Sequence, residues 1–248
     1  MQFDGTWDFV AEKEKTCEPE ETHAGDCWDH VALDPESRLV ASVVVGKRTA
    51  DATHELVRDF HRRTGGRIPR PITSDEYPAY ADAIRAAYGQ GVTPPRTGKP
   101  GRPRNPYRVL PAEVTYATVH EEKENDRVAR VSTTAVFGTV SAAAVALALS
   151  RVSRTVNASF VERHNGPDRG RCSRKGRKSC EFSKSWAMHV AATRFGYSSC
   201  NFCWPVRTLR VKGTDGTWPQ RTPAMAAGLT DHVWSIQEWI TFPAIQRQ

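Results

Sequence analysis

Between Leu39 and Arg48 the chain reads LVASVVVGKR, a run in which aliphatic side chains follow one another almost without a break. A strand with one wet face alternates apolar and polar residues, whereas a near-continuous run of β-branched residues needs apolar cover on both faces. The run is therefore expected to be a central strand with other elements packed above and below it.

Its neighbours supply that cover. TWDFVAEKEK and CWDHVALD read as two preceding strands, with PESR as the turn before the aliphatic run. TADATHELVRDFHRRTGG reads as a helix, with Thr49 as its N-cap, Leu56, Val57 and Phe60 at helical spacing, and Gly65 and Gly66 as its stop. RPITSDEY is then a short strand, and PAYADAIRAAYG a second helix with Pro78 in its first turn. The stretch TPPRTGKPGRPRNPYRVLP is dense in proline, glycine and base, and predicts an exposed loop inserted at about residues 92–111. Strands AEVTYATVH and VARVSTTAVFG flank EEKEND, and from Thr139 onward the chain reads mostly helical. Strands first and helices later make a mixed α/β domain over residues 1–212, followed by a C-terminal extension over 213–248.

The segment from Val131 to Ser150 carries no charge, which raises the question of a membrane span. Ser132, Thr133, Thr134, Gly138, Thr139 and Ser141 interrupt it, so the expectation is a buried strand turning into a buried helix. Six cysteines are too few for a disulfide scaffold, and no charged segment followed by an apolar one opens the chain, which together point to a reducing, cytoplasmic setting. A length of 248 residues with 39% hydrophobic content suffices for one sizeable core.

Charge is distributed unevenly. Acids collect before Glu76 and bases between Arg96 and Lys178, for a net charge of +7 and a sequence pI of about 9.2. From Arg151 to Lys178 nine bases stand against Glu162 and Asp168, so this one segment equals the whole net charge. Such a run suits a polyanion, because lysine and arginine neutralise phosphates with little regard to base sequence. A second basic stretch, KPGRPR, has the form of an arginine hook for a narrow minor groove, although a loop with incidental arginines is the simpler reading.

Three acids stand out by placement: Asp4 at the start of the first strand, Asp75 at the end of RPITSD, and Glu162 on a late helix. Carboxylate oxygens of this kind suit Mg²⁺ or Mn²⁺, and two such ions can clamp both oxygens of an in-line phosphoryl displacement. Asp8, Asp34 and Glu76 are competitors for the same role. Cysteine and histidine offer weaker alternatives: a zinc pair at Cys200 and Cys203, or an irregular set of Cys17, His23, Cys27 and His30. Buried thiols are the simpler reading, and Trp186, Phe202 and Trp204 are expected as core.

The segments NASFVERHNGPDRGR, EFSKSWAMHVAAT and YSSCNFCWPVRTLR resemble the C-terminal half of transposases of the insertion-sequence-one family, and CWDHVALDPESRLVASVVVGKRTADAT with ITSDEYPAY is similar to their earlier half. The resemblance spans Phe3 to Arg210. It implies a ribonuclease-H-like core, a mixed sheet flanked by helices, carrying a D, D, E triad that cuts and joins double-stranded DNA with a pair of divalent ions. Matched motif by motif, the triad falls on Asp4, Asp75 and Glu162. A basic residue seven positions after the glutamate, Arg169, would share its helix face after about two turns. Arg163, Arg171, Arg174, Lys175, Arg177 and Lys178 are the further DNA contacts implied. The family also implies assembly as a homo-oligomer on DNA, association with the prokaryotic nucleoid, no membrane, and an N-terminal recognition region that the three residues before Asp4 do not provide. Two departures stand out: Gly5 where a second acid is expected, and Gly166-Pro167, which is expected to end or kink the helix one turn past Glu162.

Overall fold

The computed structural model describes residues 1–18, 23–95, 104–125, 127–153, 155–176 and 180–243. Strands β1 (Gln2–Val10), β2 (Gly25–Leu33) and β3 (Val40–Gly46) form an antiparallel meander, and α1 (Ala50–Arg63) then leads to β4 (Ile72–Ser74) and α2 (Ala79–Tyr88). A small ribbon, β5 (Gln90–Val92) with β6 (Tyr107–Val109), precedes the hairpin of β7 (Tyr116–Glu124) and β8 (Arg127–Phe137). Helices α3 (Val140–Ala148), α4 (Ser159–Arg171), α5 (Trp186–Cys203), α6 (Pro223–Ala226) and α7 (Ile236–Thr241) follow.

The main sheet has six strands in the order β3-β2-β1-β4-β7-β8, with β4 parallel to both β1 and β7 and the other pairs antiparallel. Side chains of a strand alternate between faces, and β1 uses both. Phe3 joins Ala32, Leu56, Phe60, Tyr80 and Ile84 in a core beneath α1 and α2. On the other face Val31, Leu33 and Val40 pack with Val161 of α4 and Tyr197 of α5. The protein is thus an α/β domain with a mixed sheet between two helical layers.

The aliphatic run is covered on both faces, by α1 and by α5, but β3 lies at the edge of the sheet and not at its centre. The Asn201 side chain of α5 accepts from the Val40 amide at 3.0 Å and donates to its carbonyl at 2.8 Å, so a helix closes part of the open edge. Burial between helices satisfies the same apolar requirement as a central position would. Thr49 caps α1 as predicted, accepting from the Ala52 amide, and Gly65 and Gly66 both adopt positive φ just past the helix.

The second half of the uncharged segment departs further from expectation. Strand followed by helix is correct, but Val128, Val131 and Val136 of β8 are exposed, as are Val140, Val145 and Leu149 at α3. Only Ala143 and Leu147 of α3 are buried, because that helix borders an open cleft of about 2000 Å³ instead of the sheet. Among the described residues no helix is long and apolar enough to cross a membrane. Part of the basic loop, residues 96–103, lies outside the described residues, and its distal flank forms β6, whose three residues are exposed. At the C-terminal end α6 and α7 pack on α5, with Phe195 against Trp239 and Phe202 against Trp234.

Candidate functional site

Two strands and one helix set up the site. Gln2 pairs with Thr73 across the parallel β1/β4 junction; Asp4 lies two residues on within β1, and Asp75 is the first residue past the end of β4. The third element is fastened to that junction by polar contacts. The Gln2 side-chain oxygen accepts from the amides of Phe160 and Val161 at 3.1 and 2.9 Å, satisfying two otherwise orphaned donors at the start of α4. Its amide nitrogen donates to the Asn157 carbonyl at 2.7 Å, and the Thr73 hydroxyl donates to the same carbonyl at 3.1 Å. Helix α4 therefore starts from a fixed point beside both strands.

One turn in, Glu162 and Asn165 share a helix face, three residues apart. Asn165 donates to Asp4 at 3.1 Å. Burial pushes the Asp4 carboxyl up to about 6, and the negative charges of Asp75 and Glu162 add to that rise against its hydrogen bonds from Gly5 and Asn165. The charges of Asp75 and Glu162 thus reach Asp4, but the ligand atoms of the three acids do not all come within 4.8 Å of one another. Crowded carboxylates with one held uncomfortably ionised suit a hard divalent cation. Asp75 already has one partner: Arg48 donates to it at 3.0 Å, with the guanidinium stacked over Trp28 and Tyr77. A cation at the site has to share Asp75 with that arginine.

Helix α4 is continuous from Ser159 to Arg171 with Pro167 inside it, so the expected end does not occur. The local cost is one missing backbone donor toward the Arg163 carbonyl. Continuity keeps Arg169 near Glu162's side of the helix, and its guanidinium lies 3.4 Å from the Trp7 carbonyl of β1. Gly5 also has a local reason: a Cβ there would lie 3.3 Å from the Trp28 ring, so the second acid expected after Asp4 has no room without moving the indole.

The other predicted DNA contacts separate into distinct environments. Arg163 is exposed and Arg174 half-buried. Arg171 turns toward α5, where it donates to the Cys200 sulfur at 2.8 Å and stacks over Trp204. Lys175 is a correction: it is 4% exposed and ion-paired with Asp168 at 2.6 Å and Asp29 at 2.7 Å, which removes it from any surface that meets DNA. Arg177 and Lys178 lie outside the described residues.

The competing acids have other work. Asp34 closes the turn after β2, accepting from the Ser37 hydroxyl at 2.5 Å. Glu76 pairs with His120 at 2.6 Å. Asp8 is buried on the face that also carries Asp4, at the far end of β1. Cys27 and His30 are three apart on β2 and point to opposite faces, so the Cys17 to His30 set cannot close around one ion. The Arg171 cation against Cys200 disfavours a second cation there. Trp204 is exposed, not core, while Trp186 and Phe202 are half-buried.

What the sequence reading missed is a second polar cluster further along the same face of β1 and β2. Asp8, Cys27, Asp29, Asp168, Lys175 and His189 are all buried. Burial raises the carboxyls of Asp8 and Asp168. For Asp29 burial is outweighed by His189 and Lys175, which hold it below its ordinary value. Burial works against the Lys175 ammonium, but Asp29 and Asp168 outweigh it and hold that group above the usual lysine value. Burial, helped by Asp29 and Asp8, pushes the Cys27 thiol up to about 12. A signal was available: Asp29 has the parity of Cys27, Val31 and Leu33, the inward side of β2. Asp168 likewise lies seven residues after Val161, on the buried stripe of α4.

No protein-family model, curated protein or solved structure matches this chain.

Proposed function

We propose that this protein is a DDE-type transposase catalytic domain, a metal-dependent enzyme that cleaves DNA strands and joins their ends, working on double-stranded DNA as a homo-oligomer. The observation that supports the reading is the placement of Asp4, Asp75 and Glu162 on β1, just past β4 and on α4, with the charges of Asp75 and Glu162 bearing on Asp4. The sheet order and its two helical layers are compatible with a ribonuclease-H-like core, and the motif resemblance from Phe3 to Arg210 points the same way.

In this reading Asp4, Asp75 and Glu162 hold a pair of Mg²⁺ or Mn²⁺ ions. Such ions, when bound, supply activation of water and then of a DNA 3′-hydroxyl, and neutralise charge at phosphorus. The chain's own contribution is placement. Asn165 fixes the Asp4 carboxylate, Gln2 fixes the start of α4, and Arg169 and Arg163 offer guanidinium groups to the phosphates flanking the scissile one.

The test is nicking of supercoiled DNA by the purified chain with Mg²⁺. Cleavage is expected to require the metal and to vanish in Glu162→Gln, and a pre-cut end is expected to be joined to a target. Cleavage without joining would make the chain a nuclease alone. One observation favours a second reading, a DNA-binding remnant without catalysis: Arg48 already engages Asp75. DNA binding that is identical with and without Mg²⁺, with no nicking under any condition, would select it.

A further inference from the structure

The buried cluster on β1, β2 and α5 has the composition of a metal site of a different kind. One ligand atom each from Cys27, Asp29 and His189 lie within 4.8 Å of one another, and the three residues are at most 1% exposed. The His189 Nε2 is 3.7 Å from Asp29 Oδ1, too far for a hydrogen bond. It is close to the separation of two ligands bound about 2.0–2.1 Å from one tetrahedral ion. Among the described residues neither atom has a hydrogen-bond partner, and the same holds for Asp8 Oδ2. Asp8 pairs with Cys27 across the β1/β2 ladder, and its other oxygen, Oδ1, accepts from the Phe9 amide at 2.8 Å. Buried polar atoms without partners are costly, and their gathering around one spot calls for an occupant.

Further contacts orient the ligands. The other histidine nitrogen, Nδ1, is 2.8 Å from the Ser183 hydroxyl, which fixes the ring and directs Nε2 toward Asp29. The Val10↔Ser183 bridge, together with the Ala11 amide donating to the Ser183 carbonyl at 2.6 Å, ties that serine to the end of β1. Lys175 occupies Asp29 Oδ2 and Asp168, leaving Oδ1 to face His189. Three buried carboxylates against one ammonium leave the cluster short of positive charge.

We propose that Cys27, Asp29 and His189 bind one Zn²⁺ that fastens α5 to β1 and β2. Sulfur, imidazole and carboxylate together suit zinc and disfavour magnesium, and the three ligands are buried. Binding converts the Cys27 thiol to a thiolate and releases its proton to solvent. The site lies apart from Asp4, Asp75 and Glu162 and holds whether or not the chain cuts DNA.

Cobalt as a zinc surrogate provides the test, on the full chain stripped by chelator and kept in excess Mg²⁺ to occupy any oxygen-only site. One equivalent of Co²⁺ is expected to bind with a thiolate-to-cobalt charge-transfer band in the near ultraviolet, and Zn²⁺ is expected to displace it. Cys27→Ser should remove the band, Cys200→Ser and Cys203→Ser should keep it, and Ser183→Ala should weaken binding by about 10- to 100-fold. The proposal fails if the folded wild-type chain gives no such band, or if the band survives Cys27→Ser or disappears with Cys200→Ser or Cys203→Ser. Should Cys27→Ser not fold, the wild-type titration and the two control cysteines still decide.

Discussion

Strand β1 presents two acidic clusters on one face, four residues apart, and they have opposite characters. Around Asp4 the acids are open to solvent at one side: Glu162 is exposed and Asp75 half-exposed, and Asp75's cation, Arg48, is half-exposed too. Around Asp8 and Asp29 everything is closed, and Lys175 is buried between two aspartates. Open carboxylates can exchange ions and meet a large polyanion. Closed ones must be neutralised within the fold, since an unpaired charge there costs several kcal/mol. Accessibility, more than residue type, distinguishes the two clusters.

The sharpest way to break the contrast is to remove the internal cation. Lys175→Met leaves Asp29 and Asp168 buried without their partner and is expected to cost about 3–5 kcal/mol in urea unfolding, whereas the same measurement on Asp75→Asn should show a loss within about 1 kcal/mol. Equal losses would erase the distinction between the clusters.

A smaller effect concerns acidity. The folded value of Asp4, about 6, lies above the ordinary 3.8, so the folded metal-free chain holds this proton more tightly than the unfolded chain does. Its contribution to stability is therefore fully present below pH 3.8 and lost as pH rises through about 6. Asp4→Asn should thus become progressively more stable than wild type across that window, by up to about 3 kcal/mol at neutral pH. Using the difference between the two proteins matters, because burial lowers His164 to about 4 and gives an opposing trend in the same range. A difference that does not vary with pH would mean that Asp4 is not crowded. Saturating Mg²⁺ should shrink the gap by stabilising the wild type.

The smallest effect is at the rim. Arg48→Ala removes a half-exposed ion pair and should change stability by less than about 1 kcal/mol, yet it frees Asp75. Tighter Mg²⁺ binding in that variant, measured by calorimetry, would show that arginine and metal compete for one carboxylate. Unchanged binding would separate them.

How far the sequence carried the reading depends on what each signal encodes. The Thr49 cap and the Gly65-Gly66 stop are local, and both were legible because a helix end is decided by a few neighbouring backbone groups. The aliphatic run before α1 reported two-sided cover correctly but not position in the sheet, since a helix hides an edge strand as well as another strand does. Asp4, Asp75 and Glu162 were singled out from strand ends and motif matches, and the charges of the latter two act on Asp4 in the fold. Lys175 was misread because a run of bases looks uniform in one dimension, while a bend after α4 sends one member inward to Asp168 and Asp29. The closed cluster draws on five separate stretches, from Asp8 to His189, and only strand parity hinted at its acid on β2. Uncharged α3 was expected inside on composition alone, but composition does not say whether a sheet face remains to receive it.

Helix α4 contributes to both clusters, with Glu162 and Asn165 at one and Asp168 at the other. Six residues separate Glu162 from Asp168, about 9 Å along the axis, and the helix continues through Pro167. Where the helix moves as one body, a displacement of one end is carried to the other. Any ligand that binds more tightly to one setting of that helix must, by thermodynamic reciprocity, change the affinity at the opposite end by the same factor. The proline lies between the two groups of side chains, where its missing hydrogen bond makes the helix easiest to bend and so sets how tightly they are coupled.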